Sequence, residues 1–219
     1  MKSTLRDDQV EAVLARLRAL DDSEDEAAKR RVRAREAERG AKIYGAELTQ
    51  LYATAPLSIA REVGELLYML ALAARPRRIV EFGASAGYST IHLASALRDL
   101  GSGSLISTEL VPEKAEHARQ NLVDAGLDDL VELRVGDALQ TLGNPEDQID
   151  LLFLDGWNDL YLAVLGLLEP RLRSGAVVIA DMTKGDPHHE DYRRHVRDPA
   201  NGYFSIELPL DDGVVVSVR

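Results

Sequence analysis

The spacing of apolar positions changes character once along the chain. Over the first 50 residues they recur as Val10, Val13, Leu14, Leu17 and Leu20 among charged neighbours, the rhythm of an amphipathic helix. This part reads as two helices parted near the acidic stretch 21–25. From residue 55 onward, short runs of Val, Ile and Leu alternate with longer helical patterns. Strands are expected at Arg78–Phe82, Ser104–Glu109, Val131–Val135, Ile149–Leu154, 175–180, Phe204–Leu208 and 213–218. Helices are expected over about 59–74, 87–99, from Pro112 to near Gly126, 159–169 and 188–197. Pro112 suits the first turn of its helix. Alternating strands and helices imply βαβ units and a mainly parallel sheet. The turn at 211–213 joins the last two strands as an antiparallel hairpin.

The expected architecture is therefore α/β, with seven strands and helices on both faces of the sheet. We divide the chain into a helical extension, 1–54, and one domain, 55–219. At 219 residues such a domain buries enough surface to fold without staples. Cysteine is absent. That excludes a disulfide scaffold, thiolate metal ligands and a thiol nucleophile. The N-terminus has no signal-peptide pattern and no run approaches a membrane span, so a cytoplasmic protein is expected, with no membrane partner. The formal net charge is −11, which disfavours nucleic acid as a partner. Residues 1–50 hold 11 basic and 11 acidic side chains, so the excess lies in the remainder. The basic run 29–35 reads as a solvated helix face paired with Asp25, Glu26, Glu36 and Glu38.

The densest chemical signal is VEFGASAGYS at 80–89. An apolar strand runs into small residues and then a helix start, so a ligand can approach the backbone and meet free N–H donors. Three chemistries compete there. A dinucleotide loop wants G-x-G-x-x-G, but Ser85 and Tyr88 replace the second and third glycines. A nucleophile elbow wants G-x-S-x-G, which Gly83, Ser85 and Gly87 match. No earlier strand is present to supply an oxyanion loop, however. A nucleoside loop wants an acidic residue closing the next strand, and Glu109 stands there, able to accept both hydroxyls of a ribose. Asp137 follows the third strand and Asp155 the fourth. All these groups fall at the carboxyl edge of the sheet, where open α/β folds bind ligands.

Taken together, 57–219 resembles the class I O-methyltransferases of the catechol and caffeoyl-CoA type, built on a Rossmann-like domain. VEFGASAGYS is similar to their first cofactor motif, FLDGWNDLY at 153–161 to the catechol type, and LPLDDGVVVSVR to their last two strands. The resemblance implies methyl transfer from S-adenosylmethionine to a hydroxyl of a small-molecule acceptor. It implies that Glu81, Gly83, Ser85, Gly87, Tyr88 and Ser89 line the methionine end of the cofactor. Glu109 would bind ribose, Asp137 and Ala138 would flank adenine, and Trp157 would pack beside it. The family holds a divalent cation, Mg or Ca, with two aspartates and an asparagine, and uses a lysine as base. Asp155 and Asp181 match the aspartates. Met182 stands where the asparagine would be and Asn158 where the lysine would be, so the expected cation site is weak. Asp155, Asn158 and Asp181 occupy the catalytic positions. Lys184, Asp186, His188, His189 and His195 lie in or near 183–201, the loop expected to shape the acceptor pocket, and a histidine there could act as base. A homodimer is expected. The alternatives are a protein that binds the cofactor without turnover and a hydrolase using Ser85.

Overall fold

The strand pattern closes into one sheet. The computed structural model describes residues 3–43, 45–143 and 148–219. Seven strands are present among them: β1 Arg78–Phe82, β2 Ser104–Glu109, β3 Val131–Val135, β4 Ile149–Leu154, β5 Leu172–Asp181, β6 Phe204–Leu208 and β7 Val214–Val218. Their order is β3-β2-β1-β4-β5-β7-β6. β7 runs antiparallel to both of its neighbours, and the other pairings are parallel. Eight α-helices accompany them: α1 Asp8–Arg39, α2 Gly45–Leu51, α3 Arg61–Ala74, α4 Tyr88–Leu100, α5 Pro112–Asp124, α6 Ala138–Thr141, α7 Tyr161–Leu168 and α8 His188–Arg197.

Local chemistry sets the boundaries. Arg75 takes a left-handed φ of 50° at the end of α3, just before Pro76, which disfavours helix in the residue preceding it. Gly101 ends α4 with φ 69°, its N–H returning to Leu97 and Arg98 carbonyls, the left-handed stop that glycine adopts without penalty. The six residues of β4 are all buried, as a central parallel strand covered on both faces requires.

Two apolar cores flank the sheet. On one face Val10, Val13 and Leu17 of α1 join Val63 and Leu67 of α3, Leu97 of α4, Leu122 of α5 and the strand residues Ile79, Leu105, Leu151 and Phe153. On the other, Leu142, Val164, Leu165, Tyr192 and Val196 of the later helices cover Val80, Leu152, Leu154 and Val178. No helix among the described residues is long and apolar enough to cross a membrane.

The N-terminal expectation needs correction. α1 runs unbroken through Asp21 and Asp25 for 32 residues. Aspartate weakens a helix far less than glycine or proline, and these two carboxylates accept N–H bonds from Ser58 and Leu57 rather than from their own helix. The fifth strand begins at Leu172 rather than 175, with a register shift opposite Ile149. The four-residue α6 was not foreseen; Asp137 caps it by accepting from Leu139 N–H at 2.9 Å. The pairing expected of the basic run is partly replaced. Lys29 meets Glu26 and Arg35 meets Glu38, but Glu36 pairs with Lys42 and Arg35 also reaches Glu47.

Candidate functional site

The chain leaves β1 for β2 and β3, then returns to lay β4 against the other side of β1. That reversal opens a crevice at the carboxyl ends of β1 and β4. Two glycines let the strand ends approach. A Cβ on Gly83, whose φ is 98°, would lie 2.4 Å from the Asp155 carbonyl oxygen, and one on Gly156 would lie 2.2 Å from the Phe82 ring. Both are impossible contacts, so neither position accepts a side chain without movement.

The loop between β1 and α4 is pinned by its backbone. The N–H groups of Gly83 and Ala84 donate to the Thr108 carbonyl at 3.2 and 2.8 Å. Ser85, left-handed at φ 46°, donates its N–H to Glu109 Oε2 at 2.8 Å, and Val111 N–H donates to Oε1 at 2.8 Å. Glu109 therefore ties the glycine loop to the end of β2. Lys114 on α5 is buried beside it, with Nζ 3.4 Å from Ser85 Oγ. Burial lowers the Lys114 pKa, against the pull of Glu109 and Asp25.

Glu81, inside the sheet, is fully buried. Its Oε2 accepts from Thr90 at 2.6 Å and from Ser107, while Oε1 has no partner among the described residues. Burial raises its pKa, and Glu109 adds to the rise. Ser107 stands directly across from Glu81 in the β1–β2 register, so that partner could have been found from the two strand sequences.

Beyond β4 and β5 lies an acidic end. Leu154 and Ala180 are register partners, so Asp155 and Asp181 follow side by side on strands about 4.8 Å apart. Desolvation pushes Asp155 well above the usual carboxylate range, with Asp181 and Glu81 raising it further. Asp181 is pushed up to about 7 by burial and by Asp211 and Asp212. Its Oδ1 is buried without a partner among the described residues. Tyr161 donates its hydroxyl to the Asp181 backbone carbonyl at 2.7 Å.

The remaining expected residues separate into two groups. Gly83, Ser85, Tyr88, Ser89 and Asp155 line one cavity of about 10 Å³, roofed by Pro56, Leu57, Ser58 and Ile59. That is room for no more than about one water molecule. Gly87, at φ 93°, opens α4 beside it. Tyr88 sits at the rim, stacked on His92 and covered by the Arg18 guanidinium at 5.1 Å. Trp157 lies 6.3 Å from the Tyr52 ring. Ala138 is buried, whereas Asp137 is exposed and spends its carboxylate on capping α6. Asn158 donates to Asp186 at 3.0 Å, and Met182 is buried in the apolar core. His189 Nδ1 accepts from Thr183 N–H at 3.1 Å. Its neutral ring therefore carries the proton on Nε2 and offers a donor there, not a base. His195 pairs with Glu169. Sequence reasoning missed Lys114, Thr90 and the roof at 56–59, whose partners are distant in the chain.

The residues present fit a nucleoside-bearing methyl donor. The cradle is closed to a Cβ, Glu109 borders it, and a buried carboxylate oxygen of Glu81 waits unpaired. They fit a divalent cation poorly. Asp155 and Asp181 offer hard oxygen, but Met182 offers only a thioether, which magnesium and calcium refuse. No group of three or more His, Cys, Asp or Glu is placed to hold a metal among the described residues.

Comparison with known proteins agrees with this geometry. Residues 80–182 match a family described as a methyltransferase domain. Catechol O-methyltransferase B of Danio rerio is 32% identical over 174 residues, covering 74% of this chain and 65% of its own length. The chain thus spans slightly under two thirds of that relative. Catechol O-methyltransferase of Sus scrofa is 35% identical over 150 residues, covering 64% of this chain and 78% of its own. Among solved structures, the O-methyltransferase of Bacillus cereus in complex with SAH superposes with a TM-score of 0.64 at 28% identity, over 78% of this chain and 88% of that one.

Proposed function

This chain belongs to the class I O-methyltransferases, and we propose that it transfers a methyl group from S-adenosylmethionine to a hydroxyl oxygen of a small, catechol-like acceptor. The observation that carries this reading is the pairing of a glycine loop, tied by Glu109, with a buried Asp155–Asp181 pair across the same crevice. When bound, S-adenosylmethionine supplies a methyl group already activated on a sulfonium. The protein's work is then alignment, worth roughly 7–11 kcal/mol when two reactants are held in line.

The free Oε1 of Glu81 would accept from the ammonium of the methionine portion. Gly83 and Ser85 would let it lie against backbone. Glu109 would accept the ribose hydroxyls, and Ala138 and Trp157 would flank the base, with Asp137 holding the α6 turn in place. Two neighbouring buried carboxylates share a proton. The ionised member of the Asp155–Asp181 pair would take the proton of the acceptor hydroxyl as the oxygen attacks. Asn158 is neutral and already donates to Asp186, so it orients that loop and takes no proton. We route no step through a cation, since Met182 leaves the donor set one hard ligand short.

The test is incubation with isotope-labelled S-adenosylmethionine and a panel of phenols and catechols, with and without chelator. Labelled ether product that persists in chelator supports the reading; absence of product with every hydroxyl acceptor overturns it. Met182 and Asn158 also favour a second reading, cofactor binding without turnover. Calorimetric binding of S-adenosylhomocysteine with no labelled product would establish that one. A hydrolase using Ser85 has less support, because the Ser85 hydroxyl is engaged with the Pro56 carbonyl.

A further inference from the structure

Helix α1 does more than pack on the domain. Arg18, Asp21 and Asp25 stand at i, i+3 and i+7, which places them on one helix face. Arg18 reaches the glycine loop and the two aspartates reach residues 57 and 58, each 30 or more positions away. Arg18 lies over the Tyr88 ring. Asp21 Oδ1 accepts from Ser58 N–H and Asp25 Oδ1 from Leu57 N–H, both at 3.2 Å. Nearly two turns further along, Arg31 donates to the Leu51 carbonyl and the Thr54 hydroxyl at 3.2 Å, and Thr54 donates to Glu24 at 3.4 Å. Residues 51–58 are thereby laced along α1 as a strap. On its other side the strap touches the cofactor loop directly, through the bond from Ser85 Oγ to the Pro56 carbonyl. Leu57 holds a left-handed φ of 51°, a cost for a leucine that the lacing offsets. The cavity left beneath is about 10 Å³, room for no more than about one water and not for a nucleoside with an amino-acid arm.

We propose that Asp21 and Asp25 are positioning residues that clasp the strap 51–58 over the cofactor cavity, so that cofactor enters and leaves only when the clasp releases. This rests on the methyltransferase reading. It goes beyond it in assigning the rate of cofactor exchange to side chains of the N-terminal helix, none of which needs to touch the cofactor. Asp21 and Asp25 bond to backbone N–H groups of the strap, so on this proposal the same bonds hold it over the empty cavity and over a cofactor that has widened the space beneath, and the clasp raises the barrier in both directions. Its removal therefore speeds association and dissociation together and moves the equilibrium constant less.

The chain supplies its own reporter, since Trp157 is the sole tryptophan and faces Tyr52 at the head of the strap. Stopped-flow tryptophan fluorescence on mixing with S-adenosylhomocysteine is compared for three full-length forms: unmodified, Asp21→Ala/Asp25→Ala, and Asp21→Asn/Asp25→Asn. We expect both rate constants of the Ala pair to rise at least about tenfold, since either one of the two lost hydrogen bonds to a charged group is enough for that. Calorimetric affinity should change less than about threefold, and the Asn pair, which keeps both acceptor oxygens, should return the rates to within about twofold. Rates that do not change in the Ala pair overturn the clasp, as does an Asn pair that behaves like Ala. If the Ala pair fails to fold, Asp25→Cys/Leu57→Cys in this cysteine-free chain decides the matter. Oxidised, it should bind at least tenfold more slowly and recover on reduction; equal rates in both states overturn the proposal. Calorimetry of the unmodified protein separates the two claims. No binding there sinks the cofactor reading and the clasp with it, whereas binding with unaltered exchange sinks the clasp alone.

Discussion

Single carboxylates set the chemistry of the site. Glu109 serves two backbone amides from one side chain, so Glu109→Ala should weaken S-adenosylhomocysteine binding by about 1.5–3 kcal/mol, the range for hydrogen bonds to a charged group. Calorimetry checks this, and circular dichroism should show the fold intact because the residue closes a strand at a crevice. Asp181 behaves oppositely to an ordinary acid. Its folded pKa is raised to about 7 by burial and the neighbouring Asp211 and Asp212, so its ionisation opposes folding. The contribution is most favourable below the unfolded value near 3.8 and is lost as pH rises through about 7. Asp181→Asn should therefore stabilise the protein by roughly 1–3 kcal/mol at pH 8 and by little at pH 4, read from urea melts of both forms. Comparing the two forms at each pH cancels the opposite trend from His92, whose burial lowers its pKa to about 4. A Met182→Asn variant restores an oxygen ligand next to the pair. It should bind calcium or magnesium measurably tighter in a titration, and affinity equal to the parent's would show that the methionine is not what limits the site.

At the level of elements, the closeness of β1 and β4 rests on two glycines. Gly156→Ala drives a methyl into the Phe82 ring, itself packed edge-on to Tyr161 at 6.2 Å. Overpacking of this kind costs about 1–3 kcal/mol. The expected result is a lower urea midpoint together with loss of cofactor binding, since the same shift opens the crevice. The central strands β1, β2 and β4 were legible because each is a short, almost wholly buried run, such as Ile149–Leu154, bounded by polar residues. α1 was misread because acidic clusters resemble helix ends when their partners are unknown. Asp21 and Asp25 face Ser58 and Leu57, more than 30 positions away, and no local pattern reports such a pairing. The short α6 escaped notice because four residues carry no period. In the candidate site, Gly83 and Glu109 could be read from strand-end placement, whereas Glu81 came only with the family resemblance. The roof over the cavity could not, because residues 55–60 have no regular structure and take their position wholly from contacts.

For the molecule as a whole, the ligand and the fold are linked by mass action. S-adenosylhomocysteine at 100 times its dissociation constant adds about 2.7 kcal/mol. For a chain of this size that corresponds to a rise in melting temperature of about 5–10 °C. Scanning fluorimetry with NAD as a control measures it; a shift with NAD alone would contradict the cradle described above.

The strand order also bears on descent. The loops after β1, β2 and β3 lie on one side of the reversal point, and those after β4 and β5, with the segment leading into α8, lie on the other. On the proposed reading, a cofactor common to many reactions answers mainly to the first set, with Trp157 reaching it from the second, and an acceptor peculiar to one reaction answers to the second. Inherited changes on one side can then accumulate without forcing changes on the other. Swapping residues 183–201 between relatives should transfer acceptor preference while leaving the nucleoside grip untouched. In this chain the two territories meet at Gly83 and Asp155, and that single seam is where neither half is free to vary alone.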